Sequence, residues 1–310
     1  MKLSVMMITY NHERFIAQAL ESILAQHVNF EYEVVVGEDC STDDTRRILM
    51  DFAERYPGRI VPLLHAKNIG AIPNFISTIN ACRGEYVALL EGDDYWTDND
   101  KLQRQVDFLD SRLDSAICCH RVRYQDENGQ VDFVFPKYPA GSYTIEDLFK
   151  TNFVPTCSAV LRRNLIGELP SWFSTLALGD WPLFALVASH GKIELLDEAM
   201  ATYRLHPGGI WSSRSDLSRL REVSRMLTTL DKYFAFKYTD TIRQTVAQCH
   251  LSLAILQREN GNRVDTGTQL VACIRSGGWR LPRRTLGGLA AYTLIGRWYK
   301  LFSKACSADV

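Results

Sequence analysis

From residue 3 through residue 90, short β-rich apolar runs alternate with segments of helical period. The first run covers residues 3–9, after which Tyr10-Asn11-His12 turns the chain. Phe15, Ile16, Ala19, Leu20, Ile23 and Leu24 follow at the spacing of one helix face. Residues 32–36 form a second run, ending in Gly37-Glu38-Asp39-Cys40. Ser41 or Thr42 is placed to cap the next helix, with Asp43 and Asp44 in its first turn where the dipole favours them. Ile48, Leu49 and Phe52 give that helix its buried face. A third strand over residues 60–64 and a helix over residues 72–82 lead into the run at 86–90. Strands separated by helices in this way predict βαβ units and a parallel sheet, covered by helices on its faces.

The run at 86–90 stops abruptly in Glu91-Gly92-Asp93-Asp94. Three carboxylates then stand where a strand leaves the sheet, the end at which open α/β sheets bind ligands. Neighbouring carboxylates raise one another's pKa unless a cation is shared between them. Oxygen donors on one short loop suit Mg²⁺ or Mn²⁺, which keep open positions for a phosphate-bearing substrate. A solvated acidic turn is the competing reading of this motif taken by itself.

After a helix marked by Leu102, Val106 and Leu109, the pattern changes. Runs at 116–124 and 131–135 flank Glu127-Asn128-Gly129-Gln130, whose Asn-Gly is a hairpin signal. Residues 153–161 are a further apolar segment, and Asp180 opens a helix through residue 188 with Pro182 in its first turn. Short strands are expected at 193–196 and 201–205, before His206-Pro-Gly-Gly breaks the chain. The expected fold is therefore α/β, a mixed but mostly parallel sheet flanked by helices, over residues 1–215. Residues 216–310 read as a helical C-terminal extension. Leu217, Leu220, Val223, Leu227, Leu230 and Phe234 mark one amphipathic face, and Ile242, Val246, Cys249, Leu253 and Leu256 mark another. The second of these helices ends at Glu259-Asn-Gly-Asn.

The formal net charge of −1 gives no reason to expect a nucleic-acid partner. The eight cysteines form no CxxC pair and no zinc spacing, so buried thiols in a reducing, cytoplasmic compartment are expected. The first residues lack a signal peptide's basic and apolar regions. No apolar run reaches the roughly 18 residues of a spanning helix. The tail nevertheless combines Trp279, Trp298 and Phe302 with Arg280, Arg283, Arg284, Arg297 and Lys300. That mixture on an amphipathic helix suits peripheral contact with a membrane surface, here the inner face of the plasma membrane, or a helix docked on the body with its basic residues in water.

Four separated features, in order, resemble the family 2 glycosyltransferases, which use nucleotide sugars and have a single Rossmann-like domain. Val5-Met-Met-Ile-Thr-Tyr-Asn11 resembles the family's opening strand and loop, and Val36-Gly-Glu-Asp-Cys-Ser-Thr-Asp43 its second, acidic strand end. Leu89-Leu-Glu-Gly-Asp-Asp-Tyr-Trp96 resembles its metal-binding Asp-x-Asp. Gly179-Asp180 and Tyr203-Arg-Leu-His206 resemble its catalytic-base motif and a later histidine. The resemblance covers about residues 1–212 and implies a glycosyltransferase A-type fold with Mn²⁺ or Mg²⁺ as cofactor.

Carried over position by position, the resemblance puts Thr9, Tyr10 and Asn11 beside the nucleoside, with Glu38 and Asp39 as acceptors for base or ribose. Asp93 becomes the first metal ligand, with Glu91 and Gly92 on the nucleotide-sugar side and His206 supporting metal or diphosphate. Asp94 orients the loop, Asp180 is the base, and Trp181 either stacks on an acceptor sugar or fills the core. Gly179 departs from the family's usual Glu-Asp, and Glu38 and Glu91 stand where Asp is common. The implied reaction is inverting transfer of a sugar from a nucleotide-diphosphate donor to a saccharide or lipid-linked glycan, in envelope polysaccharide or glycan assembly. The competing functions are a sugar-1-phosphate nucleotidyltransferase and a catalytically silent nucleotide-sugar binder. The former would want a Gly-rich basic loop where this chain has Thr-Tyr-Asn-His-Glu-Arg.

Overall fold

The computed structural model describes residues 1–126 and 129–277. The described residues divide into two compact units, one of residues 1–148 and 152–213, the other of residues 149–151 and 214–277. In the first unit the predicted alternation is realised as β1 (Leu3–Thr9), α1 (Ile16–Leu24), β2 (Tyr32–Glu38), α2 (Thr45–Arg55), β3 (Ile60–Leu64), α3 (Ala71–Ala81) and β4 (Tyr86–Leu89). β1 lies between β2 and β4, parallel to both, and β3 extends the parallel set beyond β2. These strands are nearly continuous apolar runs because helices cover both faces. Leu3, Val5 and Met7 of β1, Val34 and Val36 of β2, and Tyr86 and Ala88 of β4 are buried with Ile16, Leu20 and Ile23 of α1 in one core.

The sheet order, β3-β2-β1-β4 and onward, reverses direction between β1 and β4. A crevice opens at such a switch point beyond the carboxyl ends of the strands. Thr9, Glu38 and the acidic loop after Leu89 all emerge on that edge.

The remaining strands make the sheet mixed. They are β5 (Tyr95–Trp96), β6 (Ser115–Gln125), β7 (Val131–Phe135), β8 (Gly141–Tyr143), β9 (Val160–Arg162) and β10 (Lys192–Arg204), with α4 (Lys101–Ser111), α5 (Ile145–Lys150) and α6 (Asp180–Ala188) between them. β9 joins β4 to β6 by antiparallel pairing on both sides, and β6 and β7 pair antiparallel as the Asn-Gly signal predicts. Two sequence expectations change. The strands expected at 193–196 and 201–205 are one strand, β10, running parallel to β6 with register shifts between Leu196 and Ala199 and between Ala199 and Ala201. Those irregularities hide a continuous strand from a period-two reading. Likewise α2 starts at Thr45, not at Ser41 or Thr42, because the Asp43 carboxylate accepts the Thr45 N–H at 3.0 Å and holds a turn ahead of the helix.

The second unit contains α7 (Asp216–Tyr233), α8 (Thr239–Glu259) and α9 (Arg263–Arg275). Ser215 caps α7, and Asn262 caps α9 by accepting the Asp265 N–H. α9 falls within the helical extension expected from residue 216, but no face was marked for it because its apolar residues form no continuous stripe. Ala254 and Leu270, buried with Leu251 and Ile255 against them, hold α8 and α9 together. The basic and aromatic tail lies outside the described residues. Among the described residues no helix is long and apolar enough to cross a membrane.

Candidate active site

The β1–β4 ladder extends past the strand ends and lays the acidic loop beside the end of β1. Leu90 N–H donates to the Met6 carbonyl at 3.1 Å and Gly92 N–H to the Ile8 carbonyl at 3.0 Å. At Gly92 an added Cβ would lie 2.6 Å from Thr9 Oγ1 and 2.9 Å from His12 Nδ1, so only glycine permits this approach. Glu91, Asp93 and Asp94 can then each offer an oxygen within 4.8 Å of the others.

Their environments separate the three carboxylates. Burial pushes Glu91 well above the ordinary range, and repulsion from Asp93, Asp94 and Asp180 adds to the rise. Burial and Asp93 do the same to Asp94, whose Oδ1 accepts the Arg204 N–H at 2.9 Å and so pins the loop to β10. At Asp93 burial acts in the same direction, but His12 and His206 overcome it and hold the carboxyl below its ordinary value. His206 Nε2 is 3.1 Å from Asp93 Oδ2, and His12 Nε2 is 3.7 Å from the same oxygen. Oδ1 of Asp93 is buried and has no hydrogen-bond partner among the described residues. A bare buried carboxylate oxygen beside two further carboxylates is what a hard divalent cation would satisfy. The donor set therefore fits Mg²⁺ or Mn²⁺.

One cavity of about 430 Å³ adjoins this loop. Among its walls are Thr9, Tyr10 and His12 after β1, Asp39 after β2, Glu91 and Asp93 after β4, and Asp180, Trp181 and Arg204. Asp39 is buried, and its two oxygens accept the N–H groups of Ile69 and Gly70 at 2.7 and 2.9 Å, fixing the loop ahead of α3. Asp180 is the first residue of α6 and accepts a hydrogen bond from Thr156 Oγ1 at 3.0 Å. Its helix-start position does not lower its pKa on balance, as that position alone would suggest. Burial raises it, outweighing the Trp181 N–H and the Thr156 hydroxyl. Trp181 is buried, and its ring N–H donates to the Leu148 carbonyl at 3.2 Å, so it is anchored in the core with one edge on the cavity.

Three of the expected site residues act on the scaffold instead of lining the cavity. Glu38 is fully buried; its oxygens accept from Arg46 Nε and from the Ser41 N–H, whereas Asp39 lies on the cavity wall. Asn11, at φ 55°, donates its N–H to Ser41 Oγ, and its side-chain oxygen accepts the Thr42 N–H, tying two strand-end loops together. Gly92 serves the close approach described above. His206 is not a cavity wall either, but it touches Asp93 directly.

Sequence reading missed His12 and Arg204. His12 looked like turn chemistry, and only the parallel pairing of β1 with β4 sets it against Asp93. The Arg204 guanidinium donates to the Asp93 carbonyl and the Gln18 side chain and lies 4.4 Å from the centre of the Tyr95 ring. Its signal was its place in Tyr203-Arg-Leu-His206.

The family model described as Glycosyl transferase family 2 matches residues 4–169. An uncharacterized protein of Mycobacterium tuberculosis is 41% identical over 213 residues, covering 68% of this chain and 61% of that relative's length. A Bacillus subtilis protein named as a teichuronic acid biosynthesis glycosyltransferase, TuaG, is 26% identical over 231 residues, 72% of this chain and 88% of its own. Among solved structures, Staphylococcus aureus TarS in complex with UDP-GlcNAc superposes with a TM-score of 0.64 at 22% identity, covering 94% of this chain and 88% of that one. The ten-stranded mixed sheet with its parallel first half shares the fold of that structure. The chain belongs to glycosyltransferase family 2.

Proposed function

We propose that the chain is an inverting, metal-dependent glycosyltransferase that moves a sugar from a nucleotide-diphosphate donor to an acceptor hydroxyl. The observation that carries this reading is one cavity walled by Asp39, by Glu91 and Asp93 of the acidic loop, and by Asp180. In this reading Asp39, Thr9 and Tyr10 receive the nucleoside at the switch point. Asp93 would hold Mn²⁺ or Mg²⁺ with Glu91 and Asp94 alongside, and the ion would supply Lewis-acid neutralisation of the charge that collects on the departing diphosphate. Asp180 takes the proton from the acceptor hydroxyl as it attacks the anomeric carbon from the face opposite the diphosphate. The sugar–phosphate bond breaks in the same displacement through an oxocarbenium-like state. A carboxylate with a raised pKa suits that role, because proton transfer is best driven when the base's pKa approaches the working pH.

Gly179 does not weaken the assignment of Asp180. A Cβ at Gly179 would meet the Phe75 ring at 3.2 Å, so the family's usual glutamate has little room here. A nucleotidyltransferase is less well supported, since the loop after β1 offers Thr9, Tyr10 and His12 to the cavity and no glycine-rich cradle for a triphosphate. Assembly of an envelope glycan is supported by the teichuronic acid biosynthesis role in the name of the Bacillus relative and by the basic, aromatic tail.

A thermal-shift panel of nucleotides and nucleotide sugars, each with and without Mn²⁺, tests the donor assignment. Ligand at about 100 times its dissociation constant stabilises the native state by ~2.7 kcal/mol, so the preferred donor stands out. No shift with any nucleotide sugar would contradict the reading.

A further inference from the structure

We propose that His12 is a positioning residue for Asp93, acting with His206 to hold one carboxylate oxygen so that the other faces the cation; this rests on the metal-dependent reading above. Both imidazoles face the same atom, His206 within hydrogen-bond distance and His12 just beyond it. His206 Nε2 stands 3.1 Å and His12 Nε2 3.7 Å from Asp93 Oδ2, while Oδ1 is left buried and without a hydrogen-bond partner among the described residues. Rotation of the carboxylate about its last side-chain bond would exchange the two oxygens, and the His206 hydrogen bond to Oδ2, with His12 close beside it, opposes that rotation.

His12 is itself tightly placed. Its N–H donates to Thr45 Oγ1 at 2.7 Å, and its carbonyl accepts the N–H groups of Phe15 and Ile16 at 2.9 Å each. Nδ1 is 3.2 Å from Thr9 Oγ1, a partner that fixes the ring plane. Phe15 packs against both imidazoles, with ring centroids 6.5 Å from His12 and 4.8 Å from His206. The missing side chain at Gly92 is a second, independent mark of the same arrangement, since a Cβ there would collide with Thr9 and His12 together. Outer groups of this kind orient a metal-binding carboxylate and commonly change metal affinity ~10–100-fold when removed.

The test is Mn²⁺ affinity of the full chain, followed by the loss of the free-ion EPR signal, with nucleoside diphosphate binding in chelator measured on the same samples. His12→Ala is expected to weaken Mn²⁺ binding ~10–100-fold and leave metal-free nucleotide binding unchanged. His12→Gln keeps an N–H donor near the place of Nε2 and is expected to recover most of the affinity. Unchanged Mn²⁺ affinity in His12→Ala overturns the inference alone. A glutamine variant that binds as weakly as alanine and also loses nucleotide overturns it too, since His12 would then only support the fold. Wild-type protein that binds no Mn²⁺ overturns the metal-dependent reading from which the inference starts.

Discussion

Asp180 shows how burial and a helix terminus compete at one residue. The dipole at the start of α6 favours the carboxylate, but enclosure costs the charge more, and the pKa rises above the aspartate value of 3.8. In the role proposed for it Asp180 works ionised, so turnover should fall as pH drops through this raised pKa. Asp180→Asn should lose both that acid limb and ~10²–10⁴-fold of turnover, with donor affinity nearly unchanged. The sign for stability is the reverse. A folded-state pKa above the unfolded value means tighter proton binding in the fold, so this group favours folding at low pH and opposes it once ionised. Asp180→Asn should therefore melt no lower than wild type near neutrality. Turnover, donor binding and melting measured on one preparation separate a lost base from a damaged fold. That Asp39, Asp93 and Asp180 would stand together was legible in the sequence, and all three line one cavity. The division of labour between Glu38 and Asp39 was not, because it depends on Arg46 reaching one neighbour and the Ile69–Gly70 backbone reaching the other.

Among the elements, the strands with unbroken apolar runs were readable and the irregular ones were not. β1, β2 and β4 are buried on both faces, and that burial is written in their composition. β10 runs as one strand across its register shifts because β6, a partner far away in sequence, pairs with it on both sides of them. The acidic loop also takes its shape from a partner, since its glycine is demanded by Thr9 and His12 and not by a turn of its own. Gly92→Ala should thus push the loop off the end of β1. Overpacking of this sort costs ~1–3 kcal/mol, and activity should fall more steeply than stability because Asp93 follows directly. Melting and transfer rates together check this; near-normal transfer would show that the close approach has no bearing on the site.

For the whole molecule, the parallel sheet followed from alternation alone, whereas its switch point required the strand order and the cavity required segments from residue 8 to residue 211 to converge. Pairings of that sequence separation leave no local pattern, which is why His12 and Arg204 entered only with the structure. The tail's claim on a membrane rests on the sequence. Truncation near residue 276 should reduce co-sedimentation with anionic liposomes, and added salt should weaken what the full chain retains. Equal sedimentation of both chains would return the tail to packing. Transfer itself is the central claim. The most direct measurement follows a labelled sugar from the preferred nucleotide donor to acceptor, with and without chelator, and reads the anomeric configuration of the product by NMR. The expected result is a product of configuration opposite to the donor, formed only while divalent metal is present. Retained configuration, or full activity in chelator, would contradict the account.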